Sequence, residues 1–166
     1  MRLAKLSLPG LTAAAALVLA PLASQAGNDT GTLSVTASVD AACTIGDALL
    51  AFGAYDPLAT TALTNTTTFD VQCTNLTPYN ITLDGGGSGA TSGNARTLQL
   101  TPAGATGLTY ELFSDSGFAV PLGVGVQLPG IGDGTVQSVS IYGSIPAGQF
   151  VAVGNYSDSV IATINF

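Results

Sequence analysis

The sequence contains no histidine and no tryptophan, and only 3 of its 166 residues are lysine or arginine. Without histidine, the chain lacks the side chain that most often exchanges protons near neutral pH and is the commonest metal ligand. With so few bases, it cannot present the cationic surface that binds phosphate backbones. We therefore expect a protein that is not an enzyme, needs no cofactor or metal, and does not bind nucleic acid.

Charge is scarce, whereas hydrophobic residues are abundant. Charged residues make up 8% of the chain and hydrophobic residues 46%. Disordered chains combine low hydrophobic content with high net charge, so this composition favours a folded domain. The bases are Arg2, Lys5 and Arg96, and the first acid is Asp29, so residues 27–166 alone would carry 1 − 10 = −9.

Residues 1–26 have the pattern of a secretory signal peptide. Arg2 and Lys5 form a basic start, residues 11–20 are an apolar run, and residues 24–26 offer small side chains for cleavage after Ala26. The run is too short for a membrane span, which needs roughly 20 apolar residues. The sequence therefore predicts export and no membrane span.

The two cysteines are interpreted in the light of this export. In an oxidising compartment, an even pair of cysteines forms a disulfide by default. Two thiols without histidine are a poor metal site, and a reactive thiol needs an electropositive neighbour that this chain almost lacks. We predict a structural disulfide between Cys43 and Cys73.

Hydrophobic and polar residues alternate along most of the remaining chain, as they do in half-buried strands. Turn-forming sequences separate these segments. The pattern predicts an all-β sandwich of the Greek-key type. The alternating segments are residues 32–39, 69–73, 79–83, 98–100, 108–112, 139–141 and 160–166, and the predicted turns are residues 84–89, 102–104, 129–132, 133–134 and 146–148.

Both ends of this alternating region are unusual. Residues 32–39 lie outside the loop that the predicted disulfide closes, so nothing covalent ties them to the sandwich. At the other end, the alternation continues to Phe166, and residues 156–166 contain neither the lysine nor the proline that commonly blunts an exposed strand edge. The sequence therefore predicts a long apolar strand edge that these residues do not blunt.

Three other features were weighed as sites. Asp29-Thr30-Gly31 matches the aspartic-protease triplet but lies in a polar leader, and Glu111 and Asp115 could form a glycosidase pair but favour a solvated surface. Glycines at residues 85–89 follow a strand but do not lead into the helix that a phosphate site requires. We predict no catalytic residue and a flexible glycine loop.

A series of short motifs follows in order along residues 43–166, and their order and cysteine spacing resemble the spore coat protein U domain family. That family includes the Csu-type pilins of archaic chaperone–usher pili. The motifs are Cys43-Thr44-Ile45, Phe52-Gly53-Ala54-Tyr55-Asp56-Pro57, Val71-Gln72-Cys73-Thr74, Leu83-Asp84-Gly85-Gly86, Ala95-Arg96-Thr97, residues 108–115, residues 142–149 and residues 154–166.

The resemblance implies an incomplete immunoglobulin-like sandwich whose final strand is supplied in trans. A periplasmic pilus chaperone first fills an apolar groove beside the C-terminal strand, and at the outer-membrane usher the next subunit's N-terminal extension replaces it. On this sequence it implies a signal peptide at residues 1–26, a donor-strand extension at 27–40 and a sandwich at 41–166. The implied donor side chains are Leu33, Val35, Ala37 and Val39, and the implied acceptor edge and chaperone contact are Val160, Ala162, Ile164 and Phe166.

The function implied by the resemblance is that of a structural subunit of an extracellular surface pilus. The subunit would pass through the periplasm, polymerise with its own copies and support adhesion and biofilm formation. Two alternatives stay open: a structural protein of a spore or cyst coat, and a monomeric secreted carbohydrate-binding sandwich. The latter would need exposed aromatic side chains, whereas most of the five tyrosines and six phenylalanines lie at inward positions.

Overall fold

The alternating segments form antiparallel strands in a computed structural model that describes residues 26–101 and 106–166. Residues 26–37 belong to a separate N-terminal unit, and Ser38–Phe166 form the unit that contains every described strand. The strands are β1 (Cys43–Ile45), β2 (Leu63–Cys73), β3 (Pro78–Leu83), β4 (Ala95–Thr101), β5 (Leu108–Phe113), β6 (Leu128–Ile131), β7 (Val136–Ile145), β8 (Asn155–Ser157) and β9 (Ala162–Asn165).

The described strands form two sheets. One sheet has six strands in the order β1-β2-β7-β5-β4-β8, and the other has three in the order β6-β3-β9. No helix occurs among the described residues. The predicted all-β, immunoglobulin-like Greek-key class is therefore confirmed.

The core lies between the two sheets, because both contribute one face of alternating apolar side chains. Along β3, Tyr79, Ile81 and Leu83 are buried while the residues between them are more exposed. The same alternation occurs along β5. The buried cluster consists of Val71, Cys73, Tyr79, Ile81, Leu83, Leu108, Tyr110, Leu112, Leu122, Ile141 and Ile145.

The predicted disulfide is present and joins β1 to β2. Cys43 and Cys73 are directly opposite each other in the strand register, with 4.0 Å between their Cα atoms. Cys73 is buried in the core. The bond therefore fixes the short strand β1, which has a strand neighbour on one side only, to the long strand β2.

Residues 32–39 do not form the half-buried strand that their alternation predicts. Leu33, Val35 and Val39 are 86%, 81% and 88% exposed, and no described strand includes them. Alternation defines which face of a strand can be buried, but a strand also needs a neighbouring strand to pair with. The strand prediction is therefore wrong for the single chain.

The turn predicted at residues 129–132 is also wrong, because β6 occupies most of it. Pro129 is tolerated there because β6 is an edge strand that pairs only with β3. Gly130 is required because a Cβ at this position would lie 2.2 Å from the ring of Tyr79. The turns at residues 133–134 and 146–148 are confirmed by the positive φ angles of Gly134 and Gly148, 84° and 75°.

Two predicted segments fall wholly or mostly outside the described residues. They are the signal peptide, of which only Ala26 is described, and the turn at residues 102–104.

The disulfide gives a first testable prediction. Replacing both Cys43 and Cys73 by serine should lower the free energy of unfolding by about 3.5–4 kcal/mol, because the bond closes a 30-residue loop of the unfolded chain. Urea unfolding of the full chain measures the change. The matched control is dithiothreitol, which should destabilise the wild type and leave the double variant unchanged. Equal urea midpoints for the wild type and the double variant without dithiothreitol would contradict the prediction.

Candidate strand-acceptor groove

An open apolar groove penetrates the sandwich beside the strand β8. Its volume is about 770 Å³. It is lined by the segment Leu49–Tyr55, which connects β1 to β2, and by residues 151–158, which include β8. Core side chains also line it, so the hydrophobic interior is reached through the groove; they are Leu98, Leu108 and Ile145.

A second cavity, of about 160 Å³, lies deeper between the sheets and shares lining residues with the groove. Leu50, Phe52 and Asp158 line both. Val160 lines only the deeper cavity, together with core residues that include Tyr110. We refer to the two cavities together as the acceptor groove.

Val160, which lines the second cavity, lies two residues before an incompletely paired strand. β9 is hydrogen-bonded to β3, with Ile164 opposite Ile81, and it is the last strand of the three-stranded sheet. Among the described residues, no other strand pairs with it. A strand in this position presents unpaired backbone donors and acceptors that can template another strand.

Exposed apolar side chains surround the acceptor groove. Leu49 and Val153, which line it, are 82% and 103% exposed, and Phe150, three residues before Val153, is 79% exposed. Large exposed apolar groups close together are characteristic of protein interaction sites. The groove is therefore a candidate docking surface and not a solvent channel.

The structure separates the residues that the sequence assigns to the acceptor edge. Val160, Ala162 and Ile164 are half-buried and pack against the core, but only Val160 lines the acceptor groove. Phe166 is 60% exposed. Of the proposed donor side chains, Leu33, Val35 and Val39 are largely exposed, as noted above, and Ala37 is exposed as well.

Sequence reasoning missed the wall formed by Leu49–Tyr55. This segment forms no strand and has no period-two pattern, although its apolar residues Leu50, Phe52 and Tyr55 pack against the core. Tyr55 anchors it, because its hydroxyl donates to the carbonyl of Pro146 at 2.9 Å and accepts from the N–H of Gln149 at 2.8 Å. The signals in the sequence were the apolar run Leu49-Leu50-Ala51-Phe52 and the family motif that begins at Phe52, and neither indicates a groove wall.

The only base among the described residues is buried beside the acceptor groove. Arg96 is fully buried, and its guanidinium donates to the backbone carbonyls of Asp84, Asn94 and Leu122. Burial lowers the pKa of Arg96, and the charges of nearby groups, among them Asp84 and Asp158, oppose that effect. The described surface therefore carries acidic side chains but no lysine or arginine.

Asp158 connects this buried region to the acceptor groove. One carboxylate oxygen accepts the hydroxyl proton of Tyr110 at 2.7 Å, and the other accepts the N–H of Gly87 at 2.6 Å. Burial, the hydrogen bond to Asp158 and the negative charge of Asp158 raise the pKa of Tyr110 well above its usual range, although Arg96 opposes the shift. Tyr110 is therefore a neutral hydrogen-bond donor at physiological pH.

Asp115, one of the two carboxylates weighed as a glycosidase pair, makes structural contacts. Asp115 accepts backbone N–H groups of Val120, Ala119 and Gly117, which lowers the pKa of its carboxyl. Within residues 26–101 and 106–166, no group of three or more metal-ligating side chains is close enough to hold an ion. The helix that would be needed to cross a membrane is likewise missing from this described part.

The pKa of Tyr110 gives a second prediction. Because its pKa is raised in the folded state, its contribution to stability is complete below the unfolded tyrosine pKa of about 10 and is lost as pH rises above it. The free energy of unfolding of the wild type should fall by up to about 1.4 kcal/mol per pH unit above that point. In Tyr110→Phe, the part of this fall that comes from Tyr110 should disappear.

Urea unfolding at a series of alkaline pH values measures the free energy of unfolding against pH for the wild type and for Tyr110→Phe. The other tyrosines are common to the two proteins, so the difference between the curves isolates Tyr110. Parallel curves would show that Tyr110 ionises as freely in the folded chain as in the unfolded one.

Comparisons with known proteins agree with this architecture. The Spore Coat Protein U domain model matches residues 29–163. The chain is 36% identical to "Protein U" of Myxococcus xanthus over 180 aligned positions, which cover 100% of both chains.

A chain in a crystal structure has a similar fold, with a TM-score of 0.56 at 24% identity. That structure is the CsuC–CsuE chaperone–tip adhesion subunit pre-assembly complex from archaic chaperone–usher Csu pili of Acinetobacter baumannii. The match covers 77% of this chain but only 40% of the solved one. The domain match and the full-length relative show that this chain belongs to the Spore Coat Protein U domain family.

Proposed function

We propose that the protein is a structural subunit of a bacterial surface pilus assembled by the chaperone–usher route. The observation that carries the proposal is the combination of an open acceptor groove, a strand β9 that has one hydrogen-bonded neighbour, and an exposed alternating segment at residues 32–39. The family assignment and the similarity to a chain from a chaperone–subunit complex support it. In this function, the segment of one copy fills the groove of the next.

The donor segment has the composition that strand addition requires. In an added strand, backbone hydrogen bonds provide affinity for any sequence, and alternate side chains that enter pockets fix the register. Leu33, Val35, Ala37 and Val39 would face the acceptor groove, and the polar residues between them would face solvent. The N-terminal extension, residues 27–40, is the donor in this proposal, and residues 41–166 are the acceptor.

The free energies favour a contact between subunits that uses both apolar burial and backbone hydrogen bonds. Full burial of Leu33, Val35 and Val39 contributes roughly 1.5–3 kcal/mol each, and each backbone hydrogen bond adds about 1 kcal/mol. Association and the ordering of a free segment cost on the order of 4–15 kcal/mol. Apolar burial alone would barely offset that cost, so the hydrogen bonds along β9 are needed.

Repeated donation produces an open fibre. The donor and the acceptor are different surfaces, so the contact is heterologous, and a heterologous contact that does not close on itself generates a filament. The partners in this proposal are a periplasmic pilus chaperone, an outer-membrane usher and neighbouring copies of the chain. Export would follow from the signal peptide at residues 1–26, and the finished fibre would lie outside the cell and serve adhesion and biofilm formation.

The central test is Val35→Asp. A buried, unpaired carboxylate in the middle of the donor strand should abolish polymerisation, while the acceptor domain folds with its chaperone as before. Electron microscopy of cells and gel electrophoresis of unheated fibres measure assembly. The matched control is Thr36→Asp, which adds the same charge one residue away on the outward face and should leave fibres intact.

Mixing Val35→Asp with wild-type subunits tests whether the variant loses donation but keeps acceptance. Val35→Asp should still accept a donor, so a small fraction of it among wild-type subunits should cap growing fibres and shorten them. Normal fibres from Val35→Asp alone would contradict the proposed donor register. A wild-type protein that stays monomeric and binds sugars would favour the carbohydrate-binding alternative.

A structural role in a spore or cyst coat is the second candidate, favoured by the match to the Spore Coat Protein U domain model. The same strand addition could link subunits within a coat. Immunogold labelling of the native organism separates the two: label along surface fibres supports the pilus, and label confined to the wall of spores or cysts supports the coat.

A further inference from the structure

The linker between β8 and β9 is held at both ends by carboxylates. At its start, Asp158 bonds to Tyr110 and Gly87 and also accepts the N–H of Ser159 at 2.8 Å. At its end, Asp84 accepts the N–H of Ile161 at 2.9 Å, and its own N–H donates to the carbonyl of Ile161 at 3.1 Å. Residues 158–161 are thus fixed to the loop that follows β3.

The glycine loop at residues 85–89 forms part of this attachment. A Cβ at Gly86 would lie 2.2 Å from a carboxylate oxygen of Asp158, and the φ angle of Gly86 is 72°. The loop is therefore shaped to hold the Asp158 carboxylate and is not simply a flexible connection as the sequence suggested. Arg96 supports it from the core through the carbonyl of Asp84 at 2.9 Å.

The held linker is also part of the acceptor groove. Asp158 lines both cavities, and Val160 lines the deeper one between the two anchored ends of the linker. The strand that follows, β9, has four residues and one neighbouring strand. A strand this short at a sheet edge opens easily unless other contacts hold it.

We propose that Asp158 is a positioning residue that, with Tyr110 and Asp84, holds the acceptor edge in its donor-ready arrangement before a donor arrives. This inference rests on the proposed function. Asp158 acts through the placement of Val160 and β9. Its loss should therefore change the opening of β9 in the free subunit and the rate at which a donor enters, because only the correctly placed edge can accept a strand.

The test uses the full chain carrying Val35→Asp, which cannot donate but keeps its acceptor groove. The probe is a fluorescent synthetic peptide of residues 29–41. Two quantities are measured: hydrogen exchange of the amides in residues 158–165 without peptide, and the association rate of the peptide. Cooperative urea unfolding verifies that each variant is folded.

In Asp158→Ala, we expect exchange to accelerate and peptide association to slow, each by about tenfold. Asp158→Asn keeps an acceptor oxygen and the side-chain shape, so it should recover part of both. Tyr110→Phe removes one hydrogen bond and should give a smaller change in the same direction; it also serves as the test if Asp158→Ala does not fold. The matched control is Asp115→Asn, which weakens another loop-capping carboxylate and should change neither quantity.

The outcomes separate the two proposals. If the Val35→Asp background does not bind the peptide at all, the proposed function fails. If it binds, but folded Asp158→Ala or Tyr110→Phe shows unchanged exchange and association, the positioning role is overturned. Equal effects from Asp115→Asn would also overturn it, since loss of any loop carboxylate would then suffice.

Discussion

The hydrogen bonds that β9 does not make are the constraint on which the account of this protein depends. β9 is hydrogen-bonded to β3 on one side, and no other described strand is hydrogen-bonded to it. The hydrophobic interior is reached through a groove of about 770 Å³ that β8 lines, and Val160, two residues before β9, lines the second cavity. One added strand would pair the free backbone groups of β9 and at the same time remove apolar surface of the groove from water.

The remaining structure holds that open edge in place. The disulfide attaches β1 to β2, and Tyr55 ties the segment before β2 to the turn after β7. Arg96, buried among backbone carbonyls, supports the loop that contacts Asp158. Tyr55 and Asp158 belong to the wall of the acceptor groove, so in the proposed assembly these contacts hold the wall in place while one strand replaces another.

Much of the fold could be predicted from the sequence because period-two alternation and turn residues act locally. Most of β3 and β5 and parts of β2 and β7 were predicted in this way, and the disulfide was predicted from an even pair of cysteines in an exported chain. Features set by distant contacts were not. β6 was read as a turn because its proline and glycine are tolerated only at an edge beside Tyr79, and the wall at Leu49–Tyr55 has no regular pattern. The hydrogen bond between Gly87 and Asp158 joins residues 71 positions apart, and no local pattern reveals such a contact.

A cryo-electron microscopy structure of the assembled fibre tests the central claim most directly. The account predicts that residues 32–39 of one subunit lie hydrogen-bonded beside β9 of its neighbour, with Leu33, Val35, Ala37 and Val39 facing the acceptor groove. Fibres in which that segment folds back into its own subunit, or remains exposed while other surfaces join the copies, would contradict it.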